Sequence, residues 1–393
     1  DDNSTHFHWT NPSSSWFPSM ADEFIDSTIT QGSTNEYNLT NYFDQMSLGS
    51  YKVIGDIVKV VAPNNRSHYS NYYEANKQIL QHIDSTTSIT FSDYDNWTGN
   101  SSYSHDNSSD GIVDMIFMIY KGHQFGSWTG IADMGAGSSI TVDGGSTTIK
   151  FGFWSVNNGS GVTINDNHNT QRALNTAKHE LGHWILGAGH PYSGFTDNRI
   201  PAIMQHGQNE GLSANAPERE RLGWISVPVI TSTTIGMELD DYLTTGEAYK
   251  YDATPSDSTD DEYYYITNHQ KLSIYDDATR NASDNGLFIL HDANSTSNSS
   301  SNRMLVSDGN YVWGEDGVIN NPWGAGQLSV FYKDYPSQSG KNITQKHYSS
   351  TQSNFEKLFI YEEDGDTTQG ALFTGREFIT TFNKNNRPLF SSI

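Results

Sequence analysis

The stretch Thr-Ala-Lys-His-Glu-Leu-Gly-His-Trp-Ile-Leu-Gly-Ala-Gly-His-Pro runs from Thr176 to Pro191 and contains the pattern His-Glu-x-x-His, followed by a further histidine. On a helix, side chains at positions i and i+4 leave the same face. His179 and His183 therefore share one side of a single turn, with Glu180 between them in the sequence. Two imidazoles and a carboxylate at this spacing are typical of a catalytic zinc site.

The surroundings of the motif favour a helix over a chance match. In a chain with 14 His, the pattern would arise at random in about 2% of sequences of this length. The apolar residues opposite the histidines recur at helical spacing, and they are Ala173, Leu174, Ala177, Leu181, Trp184 and Ile185. The pattern predicts a helix that packs through its apolar face and turns its histidine face toward a cleft. The alternative is that these are ordinary surface or core histidines without a metal.

The third ligand is expected just after the helix. A catalytic zinc takes three protein ligands and keeps a fourth position for water. Gly187 and Gly189 weaken the helix, and Pro191 keeps His190 out of the helical conformation, so the chain can turn back toward the metal. The expected ligands are His179, His183 and His190. Rivals for the third position lie further along the chain: Asp197, His206 and Glu210. Glu180, which is not a ligand, is expected to act as the general base.

Composition limits the partners. The chain has 393 residues, with Lys+Arg 22 against Asp+Glu 46 and a formal net charge of -24. Such an acidic chain is a poor partner for nucleic acids or anionic membranes. The most apolar run, 112–120, is too short for a membrane span and contains Asp114. With Cys 0, no disulfide framework exists, so stability must come from the core, with bound ions as a second source.

The N-terminal part has the pattern of an α/β layer. Helices are predicted over 39–46 and over 70–83, the second capped by Ser70 or Asn71. Strands are predicted over 51–61 and 115–120, and a hairpin with arms 140–142 and 147–156 turns at Asp143-Gly-Gly. The strand just before the motif helix is expected to offer a free edge to an extended peptide.

The C-terminal part has a different pattern. A short helix with Pro217 at its first position should end near Gly223. Beyond residue 226, strand-like runs alternate with polar loops over 262–267, 286–291, 328–332 and 357–361. We therefore predict an α+β protein with a first domain over 1–228 and a β-rich domain over 229–393.

A loop rich in acids precedes the strand at 115–120. It contains Asp93, Asp95, Asp110 and Asp114. Carboxylates clustered with a glycine can hold calcium. A solvated turn, in which the aspartates bond to nearby backbone amides, explains the same pattern. Both interpretations stay open at this point.

Several further stretches occur in a recognisable order. They are 41–51 (Asn-Tyr-Phe-Asp-Gln-Met-Ser-Leu-Gly-Ser-Tyr), 91–95, 110–114, 179–183, Ile203-Met204, 221–224 (Arg-Leu-Gly-Trp), 262–265 and 286–289. In this order they resemble the immune inhibitor A family of secreted bacterial metalloendopeptidases, within the metzincin-like zincins, in which Ile203-Met204 would be the Met-turn. Gly187 and His190 each come one residue later than in the metzincin pattern, and relatives often have an acid near the latter position.

The resemblance implies a zincin-type catalytic domain, built from a twisted mixed sheet with a backing helix and an active-site helix. It also implies a secreted, extracellular zinc endopeptidase, and we interpret a chain that starts at Asp1 as a mature form. His206, two residues after Met204, stands where relatives often have Tyr, and is a candidate for a transition-state role or for a buried structural histidine. The expected partner is a polypeptide, free or glycosylated, and the expected state is a monomer. The competing hypothesis is a non-catalytic, calcium-dependent glycan or cell-surface binding protein.

Overall fold

The structure is a computed structural model of the chain. It describes residues 24–25, 38–98, 107–120, 124–126, 128–153, 159–165, 170–186, 202–204, 213–231, 238–252, 263–276, 286–292, 304–306, 331–333, 343–345, 372–373, 377–381 and 389–392. The fold mixes helices with small sheets and belongs to the α+β class. Two compact units are formed, one by Asp1–Asp44 with Tyr51–Gly187 and the other by Gln45–Ser50 with Ala188–Ile393. The domain boundary expected at 228 stays a prediction.

Three helices begin and end close to the predicted residues. They are α1 (Leu39–Met46), α2 (Tyr72–Thr86) and α3 (Thr170–Leu186). The side chain of Asn71 caps α2 by accepting a hydrogen bond from the backbone N–H of Glu74, which satisfies a donor that has no partner within the helix. The predicted Asn71 cap is therefore confirmed, although α2 starts two residues later and runs three residues further than expected.

Five strands belong to the first unit: β1 (Ile116–Ile119), β2 (Gly130–Ile131), β3 (Ile140–Val142), β4 (Thr147–Ile149) and β5 (Gly161–Ile164). The mixed three-stranded sheet has the order β1-β5-β2, with β1 parallel and β2 antiparallel to β5. The predicted hairpin is confirmed as β3 paired with β4, with a tight turn at 143–145 in which Gly144 has a φ of 66°. α2 covers a core that includes Ile79, Leu80, Val142, Ile149 and Phe151.

The strand predicted over 51–61 is wrong. The segment has no regular secondary structure and forms no ladder with any described residue. Val58 and Val60 pack against the core, whereas Ile54 and Val61 are exposed by 61% and 62%. The β-branched residues that suggested a strand thus form one half-buried and one exposed face. Alternation alone does not supply a neighbouring strand to pair with.

The described part of the second unit has two short helices, α4 (Ala216–Arg221) before its first strand and α5 (Tyr242–Thr245) between the first and second strands. Asn215 caps α4 in a capping box with Glu218. Pro217 takes the second helical position rather than the predicted first, because the cap lies one residue earlier than expected. Leu222 caps the other end and Gly223 follows with a φ of 69°, so the predicted end of the helix is confirmed.

The strands of the second unit are β6 (Val229–Ile230), β7 (Ala248–Asp252), β8 (Tyr263–His269), β9 (Gly286–Asp292), β10 (Met304–Val306), β11 (Phe331–Lys333), β12 (Ile343–Gln345), β13 (Leu372–Phe373), β14 (Glu377–Thr381) and β15 (Leu389–Ser392). The main sheet has the order β10-β9-β8-β7-β6, and β13 also pairs with β9. Of the predicted strands, 262–267 and 286–291 are confirmed by β8 and β9. The run at 328–332 overlaps only the start of β11, and 357–361 lies outside the described residues.

Buried polar pairs fix the interior of this unit. The side chain of Arg219 is completely buried, lies over the ring of Tyr242 and donates to the carbonyl of the same residue at 3.0 Å. His269 Nδ1 is 2.6 Å from Asp276 Oδ1. Burial raises the pKa of the Tyr242 hydroxyl, whose proton is donated to the carbonyl of Ala214.

Of the helices that the structure describes, none is long and apolar enough to cross a bilayer.

Candidate functional site

The motif side chains lie on α3 as predicted. The imidazole rings of His179 and His183 have their centroids 4.9 Å apart, at an interplanar angle of 83°. Glu180 Oε2 is 4.0 Å from His183 Nε2. A zinc ion binds about 2 Å from each histidine nitrogen, so two rings this close can share one ion. The donor set, two imidazoles beside a carboxylate, fits a zinc site.

The helix is buried on more than its apolar face. Leu174, Ala177 and Leu181 are buried as predicted. However, the exposed fractions of His179, Glu180 and His183 are only 7%, 6% and 5%. The cleft predicted over the histidines stays a prediction, and the motif side chains are largely shielded from water. In such surroundings electrostatic interactions are stronger than in water.

A buried cation precedes the motif. Lys178 is 1% exposed, and its Nζ lies 4.2 Å from the centre of the Tyr42 ring. Tyr42 belongs to α1, so this contact ties the N-terminal helix to the helix that carries the motif. A lysine over an aromatic face is attracted by the negative charge density of the ring. Sequence reasoning missed this contact because it joins residues far apart in the chain.

The strand β2 approaches α3 so closely that only glycine fits at one position. A methyl group on Gly130 would overlap Thr176 Cγ2 and would lie 2.7 Å from Glu180 Oε1. The absence of a side chain at Gly130 therefore leaves the space in which the Glu180 carboxylate lies. Glycine within a strand often marks such a close approach. The glycine is visible in the sequence, but the sequence does not indicate which helix or strand it contacts.

The edge available to a peptide differs from the expected one. The last strand before α3 is β5, and it lies in the middle of the sheet between β1 and β2. The sequence places the expected edge on the hairpin arm 147–156, whose described strand β4 pairs with β3, and it does not predict β5. β2 has β5 on one side, and among the described residues no strand pairs with its other side.

Two of the predicted site residues lie outside the described residues. They are His190, the expected third ligand, and His206, the candidate for a transition-state role; the rivals Asp197 and Glu210 also fall there. Across the described ranges, no three His, Asp or Glu side chains are grouped so as to hold a metal ion. The third ligand thus stays a prediction, and so does the role of His206.

The stretch expected to form the Met-turn is anchored by a carboxylate that the sequence analysis did not single out. Ala202, Ile203 and Met204 are completely buried. Glu218, on α4, accepts hydrogen bonds from the backbone N–H groups of Ile203 and Met204 at 2.8 and 2.9 Å. The pattern Asn215-x-x-Glu218 was recognisable as a capping box. The long-range contact with 203–204 had no signal in the sequence.

The carboxylates of the acidic loop accept hydrogen bonds from nearby backbone N–H groups, as in a turn. Asp95 accepts from the N–H groups of Asp110 and Gly111 at 2.8 and 2.7 Å. Asp110 accepts from Ile112, and Asp114 accepts from Asn96. These bonds belong to the turn interpretation. They occupy oxygens that calcium would also need, and calcium binding stays a prediction.

One carboxyl group of this loop has a perturbed pKa. The pKa of Asp114 is raised to about 6, chiefly because burial penalises its charge. Backbone N–H groups of Asn96 and Trp97 lower it, and the charges of Asp95 and Asp110 raise it. Its Oδ1 atom is buried and forms no hydrogen bond. The loop therefore carries more negative charge than its backbone donors neutralise.

No protein-family model matches the chain, and no curated protein matches it. The residues of the site are therefore the basis on which a function can be inferred.

Proposed function

We propose that the protein is a zinc-dependent endopeptidase. The observation that carries this proposal is the arrangement on α3, where the rings of His179 and His183 lie 4.9 Å apart beside the Glu180 carboxylate. The three side chains are largely buried. A surface histidine pair would be solvated, and a structural core histidine would not need a second imidazole and an acid on the same turn.

Each motif residue has a distinct part in the proposed chemistry. His179, His183 and His190 would hold a zinc ion, which would lower the pKa of a water molecule and polarise the scissile carbonyl. Glu180 takes the proton from the attacking water and passes it to the leaving amine. The shielding of the Glu180 carboxylate strengthens its interactions with developing charge. The side of β2 that pairs with no strand in the described part of the chain offers backbone groups with which an extended substrate can pair.

The finer architecture belongs to the same proposal. We assign 1–228 to a zincin-type domain in which α2 is the backing helix and α3 the active-site helix. The mixed sheet β1-β5-β2 supports this assignment. The antiparallel strands β7 to β10 support a β-rich C-terminal domain over 229–393. Secretion fits an acidic chain with Cys 0.

The direct test is hydrolysis of casein by the purified full chain, combined with elemental analysis of its metal. We expect one zinc per chain, loss of hydrolysis with a chelator, and recovery when zinc is restored. A glycan-binding protein without catalytic activity would cleave nothing under any of these conditions. His82→Ala is the matched control for histidine loss, since this residue lies on α2, and it should keep full zinc content.

A further inference from the structure

The guanidinium of Arg219 is a buried cation with unused hydrogen-bond donors. The residue lies on α4 and is 0% exposed. Its Nη1 atom donates to the carbonyl of Tyr242 at 3.0 Å, and its Cζ atom lies 4.7 Å from the centre of the Tyr242 ring. Its Nε and Nη2 atoms are also buried, and no residue in the described part of the chain accepts a hydrogen bond from them. A positive charge is therefore held in the interior with only part of its hydrogen bonds satisfied.

The two nitrogens without an acceptor lie on one edge of the guanidinium. In this planar group an N–H bond of Nε and an N–H bond of Nη2 point in nearly the same direction, so that both can donate to a single bound anion. The bond to Tyr242 comes from Nη1 and leaves this edge unoccupied. The unused donors of Arg219 therefore form one binding edge for an anion.

The surroundings of Nη2 include apolar side chains of the same unit. A methyl group added at Gly246 would lie 3.6 Å from Nη2 and 2.7 Å from a side-chain carbon of both Leu48 and Ile225. Leu48, Ile225 and Arg219 all belong to the second unit. Apolar side chains accept no hydrogen bond, and a charge buried without a partner is strongly destabilising. An acceptor bound at the Nε–Nη2 edge would remove this destabilisation.

The buried carboxylates of the second unit bond to other donors. Glu218 accepts from three backbone N–H groups. Asp241 and Asp276 each accept from one backbone N–H group and also bond to a side chain. Of the carboxylates that the structure describes, none lies within hydrogen-bond distance of the Nε–Nη2 edge of Arg219.

We propose that the Nε–Nη2 edge of Arg219 binds a small monovalent anion of the halide class, with chloride as the natural ion. A buried water molecule would need acceptors for its own hydrogens, which Leu48 and Ile225 do not provide. A halide has no hydrogens, accepts from both nitrogens and neutralises the guanidinium. The complete burial of Arg219 favours a small ion over a phosphate or a carboxylic acid. The proposal goes beyond the endopeptidase function and requires neither zinc nor hydrolysis.

Chloride should raise the melting temperature of the full chain in a saturable way. Sodium gluconate is replaced stepwise by sodium chloride at constant ionic strength, so that the screening of surface charges stays constant. An ion that binds only the folded state stabilises it as its concentration rises, and we expect an increase of at least ~2 °C. Sodium bromide should have the same effect.

Two variants separate binding at Arg219 from a general effect of the salt. Arg219→Met removes the donors and keeps an unbranched side chain that can fill the same space, so the increase with chloride should disappear. Arg221→Met changes the same residue type on the same helix, where the side chain is exposed, and the increase should remain. An equal response to chloride in Arg219→Met and in the wild type would overturn the inference.

Crystals of the wild-type protein grown in sodium bromide test the site without any substitution, and they decide the question if Arg219→Met does not fold. The inference predicts an anomalous bromine peak within hydrogen-bond distance of both Nε and Nη2 of Arg219. Density without anomalous signal at this position, as a water molecule would give, or bromide bound only at the protein surface, would overturn it. Because this result requires no activity, a failure of the proposed endopeptidase function would leave the inference standing.

Discussion

Gly130 lies against Glu180 so closely that a single added methyl group would sit 2.7 Å from the carboxylate Oε1. The contact joins the edge of a three-stranded sheet to the helix that carries the zinc motif. The φ of Gly130 lies outside the left-handed region. Glycine is therefore needed at this position because there is no space for a side chain, and not because the backbone conformation demands it. A side chain at this position would therefore force the Thr176 and Glu180 side chains to shift.

Gly130→Ala should lower activity strongly while leaving the metal in place. The methyl group must displace Glu180, and a shift of about 1 Å at a reacting group can cost on the order of 100-fold in rate. Zinc content should stay near one per chain, because neither histidine is touched. The measurement is kcat with elemental analysis on the same sample.

Gly55→Ala is the matched control for Gly130→Ala, since an added methyl group there has nothing within 4 Å. Adding Thr176→Ser to Gly130→Ala removes the overlapping Cγ2 atom and leaves the contact with Glu180. Activity that returned fully in this double variant would show that Glu180 is not the group displaced.

His190→Ala should lose both zinc and activity. The prediction follows from the need for a third ligand and from the glycines that let the chain turn back after α3. His183→Ala should lose zinc in the same way and serves as the positive control. If the His190→Ala protein kept stoichiometric zinc by elemental analysis, the third ligand would be one of the rivals: Asp197, His206 or Glu210.

Asp114→Asn should stabilise the protein near pH 7 and have little effect near pH 4. The pKa of Asp114 in the folded protein is about 6, above its ordinary value of about 4. The folded state thus binds the proton more tightly, and the free energy of unfolding of the wild type falls as the pH rises from about 4 to about 6. Asparagine resembles the protonated form and removes this dependence.

Melting curves at pH 4, 5, 6 and 7 in calcium-free buffer provide the measurement for Asp114→Asn. The exposed Asp240 provides a control through Asp240→Asn, which should not change the slope of melting temperature with pH. A wild-type melting temperature that rose relative to that of Asp114→Asn between pH 4 and 6 would contradict the assigned direction of the pKa shift.

Calcium should raise the melting temperature of the wild type. The reason is the acidic composition of the loop before β1, which contains Asp93, Asp95, Asp110 and Asp114 in a chain with Cys 0, because an ion bound only by the folded state stabilises it. The effect should shrink in Asp114→Asn, since a neutral side chain is a weaker ligand. Identical melting temperatures in chelator-treated and calcium-replete protein, at constant zinc, would refute the prediction.

Local signals in the sequence were sufficient for the helices and the hairpin. α1 has its predicted ends, the Asn71 cap is present, and Asp143-Gly-Gly turns the hairpin. These features depend on residues close together in the chain. The same locality explains why the His179–His183 pair could be predicted, because one turn of helix brings the two rings together.

Features that depend on distant contacts could not be predicted. The segment 51–61 is rich in β-branched residues but forms no strand ladder with the described residues, and β5 lies inside the sheet because β1 pairs beside it. Gly130 lies against residues 46 and 50 positions further along the chain. Glu218 binds backbone amides 14 and 15 positions before it. A sequence gives no sign of which distant backbone a glycine or a carboxylate will meet.

The central claim is tested most directly by Glu180→Ala, measured for zinc content and casein hydrolysis on one preparation. The account predicts folded protein with about one zinc per chain and hydrolysis lowered by at least ~10³-fold, because the substitution removes proton transfer and leaves the imidazole ligands in place. A variant that kept a tenth of the wild-type activity would contradict the account.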